Sequence, residues 1–238
     1  MTLNGKHVVI VGGSTGIGLA LAKRALGDGA AVTITGRSAD KLAKANESLG
    51  GRAKTLAFDA GDPAQAEVAY NNMAAIDHLV TAAAALTYQP IKQIPLGAVT
   101  QMLSGKFWGP FLAARYATPR ILRGGSITFF SGLAAYRPAA GTAVVAAVNA
   151  ALEGLANALA VELAPIRVNV LSPGVVDTPG WDFMPERDRK SFFEMQAKAL
   201  PTRYVGTAAD VAEAAVLLMT NPYISGTVLH VDGGGRLA

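Results

Sequence analysis

Short apolar runs rich in β-branched residues alternate along this chain with longer stretches in which apolar residues recur every three or four positions. The short runs suit strands covered on both faces, and the longer period suits amphipathic helices. The pattern predicts seven strands, over residues 7–11, 31–35, 53–58, 78–81, 126–130, 167–171 and 227–231. Between them it predicts helices over 16–26, 39–49, 63–73, 96–122, 141–163 and 208–219, with Pro95 and Thr207 at starts and Gly27 and Gly50 at stops. Strand and helix in strict alternation mean βαβ units around a parallel sheet. The expected fold is therefore α/β, doubly wound, with ligand at the carboxyl ends of the strands. No linker or repeat divides the chain, so one domain over 1–238 is expected. Residues 178–205 break the alternation; they hold Trp181, Phe183, Met184, Phe192, Phe193 and Met195 and read as a helical lid over that edge.

Composition narrows the picture. Of 238 residues 51% are hydrophobic and 16% charged, which excludes a disordered chain. There is no cysteine, hence no disulfide, thiolate metal site or cysteine nucleophile, and a reducing, cytoplasmic setting fits. The first six residues run straight into a strand without a leader pattern. The net charge of +4 comes from scattered basic residues, the densest of them interleaved with Glu186 and Asp188, so no nucleic-acid surface is expected. Residues 139–161 have the length of a membrane span and one charge, Glu153. Gly141, Asn149, Gly154 and Asn157 interrupt them and no aromatic belt flanks them, which favours a helix buried in protein and no membrane partner.

The chemistry starts at the first strand, which runs through Val11-Gly12-Gly13-Ser14-Thr15-Gly16-Ile17-Gly18 into a helix. Glycines there allow a tight turn, approach of a diphosphate to the backbone, and close packing of helix on strand. The spacing of Gly12, Gly16 and Gly18 resembles that of the short-chain dehydrogenase/reductase family, a Rossmann-type fold. Further stretches resemble the family in the same order: Asp59 its adenine-side acid, Pro173-Gly174-Val175-Val176-Asp177-Thr178 its nicotinamide-side loop, and Ser225-Gly226 with Val231-Asp232-Gly233-Gly234 its closing strand.

The resemblance implies a nicotinamide cofactor and a small-molecule substrate. After the second strand stands Thr35-Gly36-Arg37-Ser38, with no carboxylate for a ribose diol. Arg37 can fork onto a 2′-phosphate, and Ser14 and Ser38 can add hydroxyls, so NADP is expected over NAD. The expected cofactor-binding set is Gly12, Ser14, Thr15, Gly16, Ile17 and Gly18, then Arg37 and Ser38, Asp59 and Ala60, and Ala82 and Ala83 after the fourth strand. Asn149 and the group Pro173, Gly174, Val176 and Thr178 complete it. By the same resemblance, the alanine-rich faces of 96–122 and 141–163 pair copies into a homodimer or homotetramer.

The family's catalytic residues are not matched. Its tyrosine and lysine, four residues apart on one helix, fall on Val145 and Asn149, fixed by the Glu153-Gly154-Leu155 that follows. Its serine falls on Gly132, with Ser131 one place earlier, and its relay asparagine on Lys106; the usual N-N-A-G after the fourth strand is Thr81-Ala82-Ala83-Ala84. Tyr88 and Lys92 have the Y-x-x-x-K spacing, but Pro90 and the wrong strand make the pair a chance match. Asparagine and lysine look exchanged between two helices, as Lys106 and Asn149. Candidate catalytic groups are Lys106, Ser131 and Tyr136. The leading expectation is an NADP(H)-dependent oxidoreductase acting on an activated acceptor such as an imine or enone. A noncatalytic NADP(H)-binding subunit or redox sensor, and a non-redox lyase or isomerase, stay open beside it.

Overall fold

The protein is described by a computed structural model covering residues 2–83 and 86–238. Seven strands form one parallel sheet, in the order β3 (Lys54–Ala57), β2 (Ala31–Gly36), β1 (His7–Val11), β4 (Ile76–Thr81), β5 (Ile121–Phe130), β6 (Arg167–Pro173) and β9 (Val228–Val231). Helices cover both faces. Because side chains alternate along a strand, Val8 and Ile10 enter one core with α1 (Gly16–Gly27), α2 (Ala39–Ser48) and α8 (Ala208–Thr220). Val9 and Val11 enter the other, with α3 (Pro63–Asn71), α5 (Gly109–Ala117) and α6 (Ala143–Glu162). All seven residues of β6 are buried, as in a doubly covered strand, although Arg167, Asn169 and Ser172 interrupt its apolar run.

Thr207 starts α8 as expected: its hydroxyl accepts from the Asp210 amide, and the Asp210 carboxylate accepts from the Thr207 amide at 2.7 Å. The other end of α8 is closed by a buried arginine on β6. Arg167 donates to the carbonyls of Leu218 at 2.6 Å, Met219 at 2.6 Å and Ile224 at 3.1 Å, placing its charge on the last turn's unpaired acceptors.

The structure corrects one long element. The helix expected over 96–122 is α4 (Leu96–Leu103), a π-helical turn over Ser104–Trp108, α5, and a short turn Thr118–Arg120; from Ile121 the chain is already β5. Pro110 is the cause. Its nitrogen has no hydrogen for the carbonyl of Lys106, its ring crowds that carbonyl, and the helix widens by one residue there.

Residues 178–205 contain α7 (Glu186–Ala199), none of whose side chains is fully buried, tied at its ends by the two-residue strands β7 (Val176–Asp177) and β8 (Gly206–Thr207). By length and composition α6 could cross a membrane, yet Val145, Val148, Asn149, Leu152 and Ala156 form a stripe buried in this fold. Ala84 lies outside the described residues.

His78 on β4 is buried, its Nδ1 2.9 Å from Ser126 Oγ, and burial pushes its pKa from 6.5 down to about 4. A depressed folded-state pKa means that the unfolded chain takes up the proton first, so stability is present above about 6.5 and lost as pH falls toward 4. Urea unfolding at pH 7 and pH 4 is expected to show up to about 3 kcal/mol more acid destabilisation in the wild type than in His78→Gln. Equal losses in the two proteins would remove His78 as the cause.

Candidate functional site

Strand order reverses between β1 and β4, and a crevice opens there at the carboxyl ends. The turn after β1 is held by Gly12 and Gly13, whose amides donate to the Thr35 carbonyl at 2.8 and 3.2 Å. Gly12 has φ +83, and a Cβ on it would lie 2.6 Å from the backbone of Ala83. A Cβ on Gly18 would run into the Gly12 carbonyl, so α1 can sit this close to β1 only with glycine there. Thr15 precedes α1 without a capping side-chain bond, and the first turn carries no acid. Its free amides therefore face the crevice with their partial positive charge unanswered, a fit for a diphosphate.

The other candidate cofactor residues line the same edge. Arg37 is exposed after β2 and has no ion-pair partner among the described residues. Ser38 caps α2, its oxygen accepting from the Lys41 amide at 3.2 Å, which leaves its hydroxyl hydrogen free to donate. Ser14 Oγ stands 3.8 Å from where Gly36 would carry a Cβ. Asp59 accepts from the Gly61 amide at 3.0 Å, and Ala60 packs beside Gly109. Ala82 is bound through its amide to the Val11 carbonyl at 2.8 Å. Pro173 ends β6, the Gly174 amide donates to the Val231 carbonyl at 3.0 Å, Val176 of β7 pairs with Gly206 of β8, and the Thr178 side chain comes within about 3.5 Å of a Cβ built on Gly16. Thr15 and Ile17 flank that contact.

Lys106 and Asn149 reach adjacent carbonyls at the end of β5. Lys106, in the middle of the π-helical turn, donates from Nζ to the Ser131 carbonyl at 3.1 Å. Asn149 on α6 donates from Nδ2 to the next carbonyl, that of Gly132, at 3.3 Å. Gly132 is the small residue this needs, since a Cβ there would sit 3.1 Å from the Asn149 nitrogen. Both side chains are buried, and the Asn149 Oδ1 has no partner among the described residues, so an acceptor stands ready for a donor from outside the chain. Lys106 has no carboxylate partner among the described residues, and burial pushes its pKa from 10.5 down to about 8. Val145 fills the neighbouring position on α6 as buried hydrocarbon.

The other two catalytic candidates go elsewhere. Ser131 Oγ donates to Glu153 Oε1 at 2.8 Å, and the Tyr136 hydroxyl donates to Glu153 Oε2. Desolvation first, and then the bonded carboxylate, push Tyr136 up to about 12, which makes it a poor proton donor near neutrality. Its ring stands edge-on to His230, with centroids 4.5 Å apart. Sequence reasoning used Glu153 as an alignment marker and missed its role. The signal was there: a charge in the middle of a helix whose other charged residue, Glu162, stands only at its end needs a partner.

With this geometry in hand, comparison with known proteins gives consistent relatives. A family model described as enoyl-(acyl carrier protein) reductase matches residues 11–235. The short-chain dehydrogenase/reductase ATR9 of Stachybotrys chlorohalonatus is 32% identical over 252 aligned positions, covering 99% of both chains. Among solved structures, a small-chain dehydrogenase in complex with NADPH is 31% identical with a TM-score of 0.86, over 99% of this chain and 100% of that one. The MalC reductase/Diels-Alderase from Malbranchea aurantiaca is 29% identical with a TM-score of 0.92, over 99% of this chain and 98% of its own.

The buried amine gives a direct check. In protein whose lysines carry ¹³C-methyl labels, one resonance should titrate near pH 8 and be missing from Lys106→Met. All lysine resonances titrating above pH 10 would mean that Lys106 is hydrated.

Proposed function

Because the chain belongs to the short-chain dehydrogenase/reductase family, we propose that it is an NADP(H)-dependent oxidoreductase whose acceptor arrives already activated, as an iminium ion or a strongly polarised enone. The observation that carries this reading is the floor of the crevice. Where the family places a serine, a tyrosine and a lysine stand Gly132, Val145 and Asn149, and the buried amine of Lys106 bonds the carbonyl just before Gly132. Tyr136 is withheld by Glu153. A simple ketone needs a proton at oxygen as hydride arrives, whereas an iminium becomes a neutral amine without one.

The residues suited to hold the cofactor are the Gly12–Gly18 turn for the diphosphate, Arg37 with Ser14 and Ser38 for the 2′-phosphate, and Asp59, Ala60, Ala82 and Ala83 for the adenosine half. Pro173, Gly174, Val176 and Thr178 would flank the nicotinamide, and the orphaned Oδ1 of Asn149 would accept from a ribose hydroxyl. When bound, NADPH supplies a hydride. Lys106 would keep an amine on the ribose side, charged below pH 8 and neutral above it. The exposed small residues of α6, Ala147, Ala150, Ala151 and Gly154, suit pairing with a second copy. The absence of cysteine suits a cytoplasmic setting.

Arg37→Ala should weaken NADPH binding about tenfold or more, the worth of a charge-assisted hydrogen bond, and leave NADH binding unchanged. Fluorescence titration of both nucleotides decides it; equal wild-type affinities for the two would refute the 2′-phosphate assignment.

The reaction is tested with two acceptors of one shape, the permanently charged N-methyldihydroisoquinolinium ion and the ketone α-tetralone. The ketone should react about 10²- to 10⁴-fold more slowly, the share that general acid catalysis supplies. Turnover of the charged acceptor should rise through pH 8 as Lys106 loses its proton, and Lys106→Met should flatten that profile. Comparable rates for ketone and iminium would mean that the site holds an acid after all.

A further inference from the structure

Asn149 and Glu153 stand one helical turn apart on α6, so they share a face, and both bind the chain leaving β5. Asn149 donates to the Gly132 carbonyl at 3.3 Å. Glu153 uses both of its oxygens: Oε1 accepts from the Ser131 hydroxyl at 2.8 Å, and Oε2 accepts from the Tyr136 hydroxyl. The two hydroxyls bracket a short loop, Gly132 followed by the turn Leu133–Ala135. The Tyr136 side chain is exposed enough for water to meet its hydroxyl, yet the hydroxyl is directed onto the carboxylate.

The loop needs such a brace. The sheet's ladder ends with the Ser131 amide, which donates to the Leu171 carbonyl at 2.9 Å. The next peptide plane joins Ser131 to Gly132, and glycine is the residue that resists rotation least. The carbonyl of that plane is the one that receives Lys106 Nζ at 3.1 Å. Turned away, it would leave the buried amine without its hydrogen-bond partner. Ser131 is therefore held in three directions, by its amide to β6, by its carbonyl to the π-helical turn and by its hydroxyl to α6. The helices packed on that turn carry Arg115 and Tyr116 on α5 and Glu153 and Glu162 on α6, with no titratable group on α4. Among the described residues none of these bonds Lys106, and of them Glu153 alone bonds the residue that Lys106 holds. On the far side of the brace His230 meets the Tyr136 ring, and the Arg236 charge acts on the Tyr136 hydroxyl.

We propose that Glu153 is a positioning residue: bonded to Ser131 and Tyr136 on either side of Gly132, it fixes the peptide plane whose carbonyl holds the Lys106 amine. The inference deepens the reductase reading and rests on it only for what the placed amine does in turnover. Glu153 acts through where its oxygens stand and not through its charge. A glutamine of the same shape therefore serves as well, its amide oxygen accepting from one hydroxyl and its amide nitrogen donating to the other.

The ¹³C-methyl resonance that disappears in Lys106→Met reports the placement. Glu153→Ala should free the plane, and Ser131→Ala should do the same by removing a single hydroxyl. In each the Lys106 midpoint should fall from about 8 to about 7 or below, the worth of a hydrogen bond to a charged group. Glu153→Gln should keep it near 8. In turnover of N-methyldihydroisoquinolinium, the rise with pH should move down in the two alanine variants and stay in place in Glu153→Gln. A midpoint unmoved in Ser131→Ala would overturn the positioning role. So would a midpoint that falls as far in Glu153→Gln as in Glu153→Ala, which would show that the carboxylate acts by charge. Midpoints that move as expected in a protein that oxidises no NADPH with the charged acceptor would keep the positioning role and remove the reductase reading instead.

Discussion

The carboxyl edge of the sheet is organised by one close approach, that of Gly12 to the chain leaving β4. The Ala82 amide reaches the Val11 carbonyl at 2.8 Å, and no side-chain carbon fits between Gly12 and Ala83. With those two segments in contact, α1 must start directly over the turn, which in turn requires Gly18 to lie against the Gly12 carbonyl. The uncapped amides of α1, the Thr178 loop above Gly16 and the open side of Arg37 then all border one crevice. A methyl group at position 12 would push the two strand ends apart and disperse them.

A second pair of backbone groups does comparable service deeper in the site. The carbonyls of Ser131 and Gly132 are adjacent, and each takes one donor, from Lys106 on one helix and from Asn149 on another. An amine lacking a nearby carboxylate is costly to bury in its charged form, and a single carbonyl compensates only part of that cost, so the proton is loosely held. Below the same two residues, Glu153 collects the hydroxyls of Ser131 and Tyr136. The end of β5 thus separates two surroundings: the buried amine of Lys106 and amide of Asn149 on its carbonyls, and a carboxylate-hydroxyl cluster that reaches His230 of β9 through Tyr136.

The sheet and its order of elements were legible because its central strands, covered on both faces, read as short apolar runs set between helix-period stretches. The glycine turn was legible because its geometry tolerates almost nothing else. What the sequence concealed depends on side chains finding partners far along the chain. Tyr136 reads as a free phenol until Glu153, 17 residues on, is seen to hold it. Ser131 reads as a displaced catalyst until its hydroxyl is found on the same carboxylate. Tyr88 could be rejected as a catalytic tyrosine from Pro90 alone, but its place opposite Trp181 joins segments that follow different strands. The break inside 96–122 was signalled by Pro110, and an apolar period that continued through the proline masked it.

That break also sets an angle. A π-helical turn accommodates one residue more than an α-helical turn, and each residue of a helix corresponds to about 100° around its axis. The rod formed by α4 and α5 is therefore geared: its upstream half presents one face to α6, and its downstream half another to α3. Loss of one residue between Ser104 and Trp108 would rotate one half of the rod against the other while leaving its length almost unchanged. The two halves would then fall out of phase with their neighbours, so the helical segment that brings Lys106 to the Ser131 carbonyl should tolerate changes of residue type far better than changes of residue count.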